Sequence, residues 1–395
     1  MVGGESGLHY RRDLNLLSQS GYTSAGERYT RIQVQPIVVR TTSPYHRYDY
    51  PCRKNFFQRE GALLMKIVAT VLAGGEGTRL YPLTAEHAKP ALPFANGYRI
   101  VDFVLSNLVN SRIDTIYVLA QYKPESLIRH IAAAWAPVVE DAGGLIKVLL
   151  PRSNTLGGQF KGTADAVYQH LDVLSAHSPD LVAVFAADHI YRMDVQQMCA
   201  FHAERKAEVT VSAVPVPLEY ASSFGVLSAD ADGRVREFRE KPKQPCPIPG
   251  DSSRAHASMG NYLFEPELLE RELIEARRRG DTDFGRDLLP RLCGTGGVYA
   301  YDFGGNKVPG VQDFEERAYW RDVGTLSALA AAQQDAMGAR PRFNLWNSRW
   351  PILGEYDASL VARMRSRKGE AGLKPAPAWR AANRDRHTDE RLPTS

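Results

Sequence analysis

The sequence has little cysteine and no long apolar run. Its four cysteines, Cys52, Cys199, Cys246 and Cys293, lie far apart without the paired spacings of zinc or dithiol sites, so we interpret them as reduced thiols. No run of about 18 apolar residues could span a bilayer, and the N-terminus lacks an apolar secretory signal. These absences predict a cytoplasmic protein with no membrane partner.

The sequence also lacks a basic domain, although its formal charge is +4. Residues 1–64 carry nine Lys and Arg against five Asp and Glu, and residues 361–395 carry nine against four. The flanks therefore hold +4 and +5, which leaves −5 for the middle of the chain. Because the positive charge lies in the flanks rather than on a folded face, we expect no nucleic-acid partner.

Sustained periodicity begins only at Met65. Residues 1–64 are rich in Tyr, Arg, Ser and Thr and show one short strand pattern, at 32–39, so we predict a mostly disordered leader. From Met65 onward, apolar runs alternate with amphipathic segments, as is typical of a parallel sheet with helices on both faces. The segment MKIVATVLAGG, from Met65 onward, predicts a buried strand that runs into a glycine-rich turn. Further strands are predicted at 115–120, 145–150, 181–188, 209–216, 258–264 and 298–303, and helices at 124–135, 163–174, 195–206, 266–279, 283–292 and 325–336.

The predicted fold is therefore an α/β, Rossmann-like domain with a mixed, mostly parallel sheet. A hairpin turning at Asp232-Gly233 adds antiparallel strands to it. We place this domain at 65–340. After Ile352 the hydrophobic periodicity ends and the sequence is rich in Arg, Ala and Pro, so 341–395 is predicted to be a truncated or degenerate tail.

A glycine-rich turn follows the first strand of the domain, in LAGGEGTRLYPL. Gly74, Gly75 and Gly77 let the backbone approach a phosphate and point N–H groups at it. Arg79 can neutralise the phosphate charge, and it stands where a dinucleotide-binding G-x-G-x-x-G would need close helix packing. The glycines alone are equally compatible with a tight turn that binds nothing.

A lysine follows this turn in AKPALP. Lys89 precedes a proline, which predicts a rigid, extended backbone that limits the reach of the ammonium to one place. Lys89 then becomes a second phosphate ligand, although an isolated lysine is more often a solvated surface group.

Two carboxylates are candidates for a metal site. Asp188 ends a buried strand in AADHIYRMD, and ligands of open α/β sheets lie outside the carboxyl ends of the strands. Asp322, in YWRDVGT, comes just before a predicted helix and could share a metal with Asp188. Hard oxygen ligands suit Mg²⁺. Each aspartate could instead cap the helix that follows it.

A second lysine and an acidic neighbour close the predicted hairpin in REKP. Lys241 is restricted by Pro242 and can present its ammonium to a sugar phosphate. Glu240 is a candidate for the same site, or it is an ordinary surface acid.

Ten segments follow one another in a fixed order: LAGGEGTRL, AKPALPF, YRIVDFVLSN, GTADAV, DHIYRMD, FGV, EKP, ASMGNYLF, DFGRDLLP and WRDVGT. Together, over about residues 66–351, they resemble the bacterial ADP-glucose pyrophosphorylases, or glucose-1-phosphate adenylyltransferases, of the sugar nucleotidyltransferase family. LAGG, TRL and EKP occur across sugar nucleotidyltransferases. YRIVDFVLSN, ASMGNYLF and YWRDVGT are typical of the adenylyltransferase branch.

The resemblance implies that ATP and glucose 1-phosphate form ADP-glucose and diphosphate, the committing step of glycogen synthesis, with Mg²⁺ as cofactor. It implies catalytic roles for Arg79, Lys89 and Asp188, and metal binding by Asp188 and Asp322. It places the nucleotide on Leu72, Gly74, Gly75, Gly77, Thr78, Gln121, Gly162 and Thr163, and the sugar phosphate on Gly225, Glu240, Lys241 and Ser258. Two alternatives stay open: a transferase that uses UTP or dTTP, and a non-catalytic regulatory or truncated homologue.

Three departures from the family pattern carry expectations of their own. Glu86 and His87 stand where enteric-type members have basic effector-binding residues, so we expect no activation by fructose bisphosphate. Phe160 replaces a tyrosine beside the ATP site, which predicts modestly weaker nucleotide binding. The resemblance also implies a C-terminal left-handed β-helix domain, and because no hexapeptide repeats follow Ile352 we expect this chain to lack it. Since that domain helps to form the usual homotetramer, we expect a less stable chain that tends to aggregate.

Overall fold

The computed structural model describes residues 19–22, 28–31, 65–141, 143–152 and 158–354. The chain divides into two units, Met1–Leu63 and Leu64–Ser395. In the first unit, β1 (Gln19–Tyr22) pairs antiparallel with β2 (Arg28–Arg31), a hairpin that the sequence analysis did not predict. The rest of the predicted leader, including the strand pattern at 32–39, lies outside the described residues, so the leader limits stay a prediction.

A nine-stranded mixed sheet organises the second unit. The strands of this unit are β3 (Ile67–Ala73), β4 (Thr115–Ala120), β5 (Leu145–Leu149), β6 (Leu181–Ala186), β7 (His189–Tyr191), β8 (Val209–Pro217), β9 (Gly225–Ala229), β10 (Val235–Glu240), β11 (Arg254–Phe264), β12 (Val298–Asp302) and β13 (Trp320–Asp322). All except β7 and β13, which pair with each other, belong to this sheet.

Parallel strands form the centre of the sheet, in the order β6, β3, β4 and β5. β11 runs antiparallel to β6 and also pairs with β8, and β8 pairs in parallel with β12. The hairpin β9–β10 joins the first half of β11. The predicted mixed, mostly parallel α/β sheet is confirmed.

Helices cover both faces of the sheet. They are α1 (Ile100–Asn110), α2 (Glu125–His130), α3 (Ala136–Asp141), α4 (Thr163–Tyr168), α5 (Leu171–Ser175), α6 (Val195–Arg205), α7 (Leu218–Ala221), α8 (Pro266–Arg279), α9 (Leu289–Leu292) and α10 (Leu326–Asp335). None of these described helices is long and apolar enough to cross a bilayer. A cytoplasmic location stays a prediction.

The apolar core is divided between the two faces of the sheet. Side chains of a strand point to opposite faces in turn, and along β3 Val68 is buried on one face while Ala69 and Val71 are buried on the other. Helices α1, α2, α3 and α6 pack on the Val71 face, and α4, α5, α8 and α9 pack on the Val68 face. The result is a three-layer sandwich.

A third apolar cluster lies beneath the segment that follows the glycine-rich turn. Leu80 packs there with Phe103 of α1, Leu329 of α10, and the later residues Phe343 and Ile352. The folded unit therefore extends past the predicted domain limit at 340, to Gly354. The remainder of the predicted tail, residues 355–395, lies outside the described residues.

Three predicted helices differ in form from the prediction. The helix predicted at 124–135 continues to Asp141 through a wider π-helical turn, Ile131–Trp135. The helix predicted at 163–174 breaks after Tyr168, where His170 leaves the helical backbone region with a φ of −124°. The helix predicted at 283–292 begins as a π-helical turn, Phe284–Leu288.

One predicted strand is longer than expected. The strand predicted at 258–264 begins at Arg254, and its register with β8 shifts between Ser258 and Tyr262. Gly260 lies within this irregularity and has a left-handed φ of 71°, which glycine adopts at little cost.

The π-helical turn places two side chains on one buried carboxylate. His130 and Trp135 are five residues apart, a spacing that a π turn brings to the same side of a helix. His130 Nε2 and Trp135 Nε1 lie 2.6 Å and 2.7 Å from Asp102 Oδ1, and the Arg99 N–H donates to Asp102 Oδ2 at 2.7 Å. Asp102 is fully buried, so its hydrogen-bonded side chain joins α1 to α2.

We expect Asp102→Asn to lower the free energy of unfolding by about 3 kcal/mol, because an amide presents N–H groups to a site built from N–H donors. Urea denaturation followed by circular dichroism measures this change. Asp114→Asn, at an exposed position before β4, is the matched control and should change stability by less than about 0.5 kcal/mol. Equal stability of the two variants would contradict the role given to Asp102.

Candidate active site

A cavity of about 420 Å³ lies at the carboxyl ends of β3, β4 and β6. The glycine-rich turn after β3 and the residues just beyond β4 and β6 form one side of it, and residues from β10, β11 and the turn at 283–285 form the other. Ligands of open α/β sheets bind at this edge, and the volume falls in the range of small-molecule sites.

Most of the predicted nucleotide-binding residues line this cavity: Leu72, Gly74, Gly75, Gln121, Gly162 and Thr163. Gly77 and Thr78 lie further along the turn, outside the lining. Gly77 has a left-handed φ of 67°, and a methyl group there would lie 3.0 Å from Thr84 Cγ2 and 3.2 Å from Lys89 Cβ. The turn therefore requires glycine at this position for its backbone and its packing.

Gln121 ties the glycine-rich turn to the backbone at Phe160. Its Nε2 donates to the Gly74 carbonyl at 3.3 Å, and its Oε1 accepts from the Phe160 N–H at 2.8 Å. The Phe160 ring is nearly buried and lines the cavity. Gln121 thus holds the glycine-rich turn beside Phe160 in the predicted nucleotide pocket.

A buried lysine joins the two predicted metal-binding carboxylates. Lys89 Nζ lies 2.9 Å from Asp188 Oδ2 and 3.3 Å from Asp322 Oδ1. Burial alone would raise the pKa of Asp188, but the charges of His189 and Lys89 and the hydrogen bond from Lys89 hold it below its ordinary value. Asp188 is therefore an anion at neutral pH.

The backbone of Lys89 differs from the prediction. Lys89–Ala91 form a 3₁₀ turn rather than an extended segment. The physical reason is Pro90, whose fixed φ suits the first positions of a helical turn. The restricted reach expected for the lysine comes instead from burial, since Lys89 is only 7% exposed.

The short sheet β7–β13 brings Asp322 to Asp188. His189 and Asp322 are direct partners in this antiparallel pair, and ligand atoms of Asp188, His189 and Asp322 all lie within 4.8 Å of one another. The imidazole of His189 is 3.6 Å from Asp188 Oδ1 and packs on the Trp320 ring, with centroids 4.8 Å apart. Carboxylate and imidazole donors at this spacing can hold a divalent cation.

Neither aspartate caps the helix that follows it. Asp194 caps α6 by accepting from the Gln196 N–H, and Thr325 caps α10 by accepting from the Ala328 N–H. The helix-cap alternative for Asp188 and Asp322 is thereby excluded.

Arg79 is brought to the same cluster from the glycine-rich turn. It lies outside the cavity lining, yet a methyl group at Gly324 would lie 2.9 Å from Arg79 Nη2 and 3.0 Å from both carboxylate oxygens of Asp322. The Arg79 guanidinium and the Asp322 carboxylate therefore both lie close to Gly324, and a side chain at this position would collide with them.

Two of the predicted sugar-phosphate residues line the opposite wall. Glu240 and Lys241 face the cavity, and their side chains are joined by an ion pair of 2.8 Å. Lys241 has a left-handed φ of 46°. Gly225 is the strand partner of Glu240, and a side chain there would meet Phe238 Cζ at 2.4 Å.

Ser258, the fourth predicted sugar-phosphate residue, lies behind the lining. Its Oγ accepts from the Gly260 N–H at 3.2 Å and is 3.5 Å from the Tyr262 hydroxyl. Gly260 and Tyr262 line the cavity. Ser258 therefore contacts residues of the cavity wall and does not line the cavity itself.

Sequence reasoning missed three residues of the site: His189, Tyr262 and Asp283. Tyr262 and Asp283 line the cavity, and Asp283 Oδ2 accepts from the Thr163 hydroxyl at 2.9 Å. Burial raises the pKa of Tyr262, so its hydroxyl stays neutral. All three stand within the quoted segments DHIYRMD, ASMGNYLF and DFGRDLLP, which was the available signal.

Comparison with known proteins gives matches over the same region. The nucleotidyl transferase family matches residues 68–338. The glucose-1-phosphate adenylyltransferase of Thermodesulfovibrio yellowstonii is 50% identical over 288 residues, which are 73% of this chain and 70% of the relative. The proteins of that name from Mycobacterium tuberculosis and Mycobacterium ulcerans are each 48% identical over 304 residues, 75% of this chain and 74% of theirs.

We expect two glycines of the cavity wall to respond differently to alanine. In Gly162→Ala the new methyl group would lie 2.4 Å from the Thr282 carbonyl oxygen, so the backbone that carries Asp283 must move. Stability should fall by about 2 kcal/mol in urea denaturation. Gly75→Ala meets no atom within 4 Å and should stay within about 0.5 kcal/mol of the parent chain. A Gly162→Ala variant as stable as Gly75→Ala would contradict this wall geometry.

Proposed function

The chain belongs to the nucleotidyl transferase family, among the glucose-1-phosphate adenylyltransferases, and we propose that its cavity transfers the adenylyl group of ATP to glucose 1-phosphate. The products are ADP-glucose, a glucosyl donor for glycogen synthesis, and diphosphate. The observation that carries the proposal is the cluster of Lys89, Asp188 and Asp322 beside a glycine-rich turn. Cationic and anionic groups converge in this cluster, as the binding of a triphosphate and its counterion would require.

The reaction requires positioning rather than proton transfer. A phosphate oxygen of glucose 1-phosphate attacks the α-phosphorus of ATP, the bond from that phosphorus to the bridging oxygen of the β-phosphate breaks, and diphosphate leaves with the electron pair. The nucleophile is already an anion, so no general base or covalent intermediate is needed. Catalysis then comes from holding the two phosphates in line and neutralising their charge.

We assign the triphosphate to the glycine-rich turn. Gly74 and Gly75 present backbone to the cavity, and Arg79 and Lys89 supply positive charge at its edge. Gln121 holds the turn at Gly74 and is available to the base. Gly162 and Thr163 form the facing wall, with Thr163 fixed by Asp283.

We assign a divalent cation, Mg²⁺, to Asp188 and Asp322. The donor set fits, because two carboxylates converge on one positive charge, the ammonium of Lys89, which stands in for a cation between them. A bound ion would orient the triphosphate and stabilise the departing diphosphate. His189 lies within reach of both aspartates and orients Asp188 through their close contact.

We assign glucose 1-phosphate to the wall formed by β10 and β11. Lys241 provides an ammonium for the phosphate, and Glu240 and Asp283 provide acceptors for sugar hydroxyls. Ser258 orders the bulge at Gly260 from behind, and Gly225 leaves the space in which the Glu240 carboxylate lies.

Diphosphate release by the purified chain with glucose 1-phosphate, Mg²⁺ and ATP, UTP or dTTP tests this function. We expect release with ATP and a rate at least about ten-fold lower with the other two. Faster release with UTP or dTTP would replace the proposal by the transferase alternative. Absence of release with all three would favour a non-catalytic homologue.

Asp188→Asn should lower kcat by about 100-fold or more without unfolding the protein, because a neutral amide cannot balance a metal ion. Steady-state kinetics and a urea melt measure the two effects. Asp114→Asn, at the opposite end of β4, is the control. If Asp188→Asn turned over as fast as the parent chain, the role assigned to Asp188 would be wrong.

Lys241→Ala should raise the KM for glucose 1-phosphate by about ten-fold and leave the KM for ATP nearly unchanged, since a ground-state contact to one substrate is lost. Lys243→Ala changes an exposed lysine two positions away and should leave both values as they are. A change confined to ATP would show that Lys241 faces the other substrate.

A further inference from the structure

Lys123, which follows β4, contacts the middle of the segment between the glycine-rich turn and Lys89. Lys123 Nζ lies 2.8 Å from the carbonyl oxygen of Thr84 and 2.6 Å from that of Ala85. Both carbonyls belong to the 3₁₀ turn Leu83–Ala85. Carbonyls at the end of a helical turn carry partial negative charge, so an ammonium is a favoured partner for them.

The contact continues from this turn into the glycine-rich turn. Thr84 is buried, and its hydroxyl donates to the Gly77 carbonyl at 3.0 Å. Gly77 begins the 3₁₀ turn Thr78–Leu80, which carries Arg79. A shift of Thr84 would therefore move Gly77 through this hydrogen bond, and with it the part of the turn that carries Arg79.

The backbone of Lys123 indicates that its placement is constrained. Lys123 has a left-handed φ of 45°, a backbone conformation that is uncommon for residues other than Gly, Asn and Asp. Such strain persists only where surrounding contacts determine it. Lys123 also stands two residues after Gln121, which binds Gly74. The segment after β4 thus holds the glycine-rich turn at both ends, at Gly74 through Gln121 and at Gly77 through Lys123 and Thr84.

We propose that Lys123 is a positioning residue for the nucleotide, acting through Thr84 on the Gly77–Arg79 part of the turn. It does not line the cavity, so it is not expected to touch substrate. The proposal rests on the proposed function, because it concerns the binding of ATP. Loss of the ammonium should loosen the turn and weaken ATP binding, while the sugar-phosphate wall, built on β10 and β11, keeps its geometry.

Steady-state kinetics of Lys123→Met test this role. We expect the KM for ATP to rise by about three- to ten-fold, the scale of one or two lost hydrogen bonds, with kcat and the KM for glucose 1-phosphate within about two-fold. Lys123→Arg keeps the charge and the donors and should restore most of the ATP affinity. Lys147→Met, an exposed lysine of β5, is the matched control and should change nothing.

A double-mutant comparison tests the route through Thr84. Thr84→Val removes the hydroxyl at nearly constant volume and should raise the KM for ATP to a similar degree. If Lys123 acts through Thr84, the double variant should resemble the stronger single variant. Independent, multiplicative effects would overturn the route. An unchanged KM for ATP in Lys123→Met would overturn the proposal itself.

Amide hydrogen exchange of the ligand-free protein separates this inference from the proposed function. Residues 75–89 should exchange faster in Lys123→Met than in the parent chain and Lys147→Met, with unchanged exchange in β3 and β6. Equal exchange over 75–89 would overturn the inference even if the enzyme is active. If the parent chain releases no diphosphate, the proposed function fails, and the exchange data still decide whether Lys123 holds the turn.

Discussion

The contact of the Lys89 ammonium with Asp188 and Asp322 is the interaction on which the rest of the site depends. It joins three segments that are distant in sequence: the turns after β3, the end of β6 and the short strand β13. A buried ammonium is unfavourable unless it is paired, and the two carboxylates compensate the burial of Lys89. The same pairing keeps two carboxylates close together that would otherwise repel one another.

The parallel sheet explains why these groups meet where they do. Parallel strands β3, β4 and β6 end at one edge, and each is followed by residues that line the cavity: Gly74 and Gly75 of the glycine-rich turn, Gln121, and Asp188. The antiparallel strands supply the facing wall with Glu240 and Tyr262. A charged cluster between two such walls suits a reaction in which two anionic phosphates must be brought together.

The sequence predicted the regular parts of this structure because their signals are local. Helix α8 was predicted with its observed limits since Pro266 begins it and Gly280 ends it with a left-handed φ of 82°. Strand β4 matched for a similar reason, as a short apolar run between turns. The order of the motifs likewise allowed the family to be recognised, and the matched relatives confirm it.

Features that depend on tertiary contacts were not predictable in the same way. The strands β7 and β13 have three residues each and become strands only by pairing with each other, so the position of His189 beside Asp322 had no periodic signal. The π-helical turn Ile131–Trp135 was missed because it serves a carboxylate on another helix, Asp102. Lys123 resembles an ordinary surface lysine in sequence, and its contacts depend on how the chain folds back after β3.

We propose that a phosphate oxygen of glucose 1-phosphate attacks the α-phosphorus of ATP within this charged cluster. Isotope tracing tests it most directly, with glucose 1-phosphate labelled by ¹⁸O in its non-bridging phosphate oxygens and the products separated by mass spectrometry. We expect all of the label to appear in ADP-glucose, including the new bridge between the two phosphorus atoms, and the released diphosphate to be unlabelled. Label in diphosphate, or formation of ADP without ADP-glucose, would contradict it.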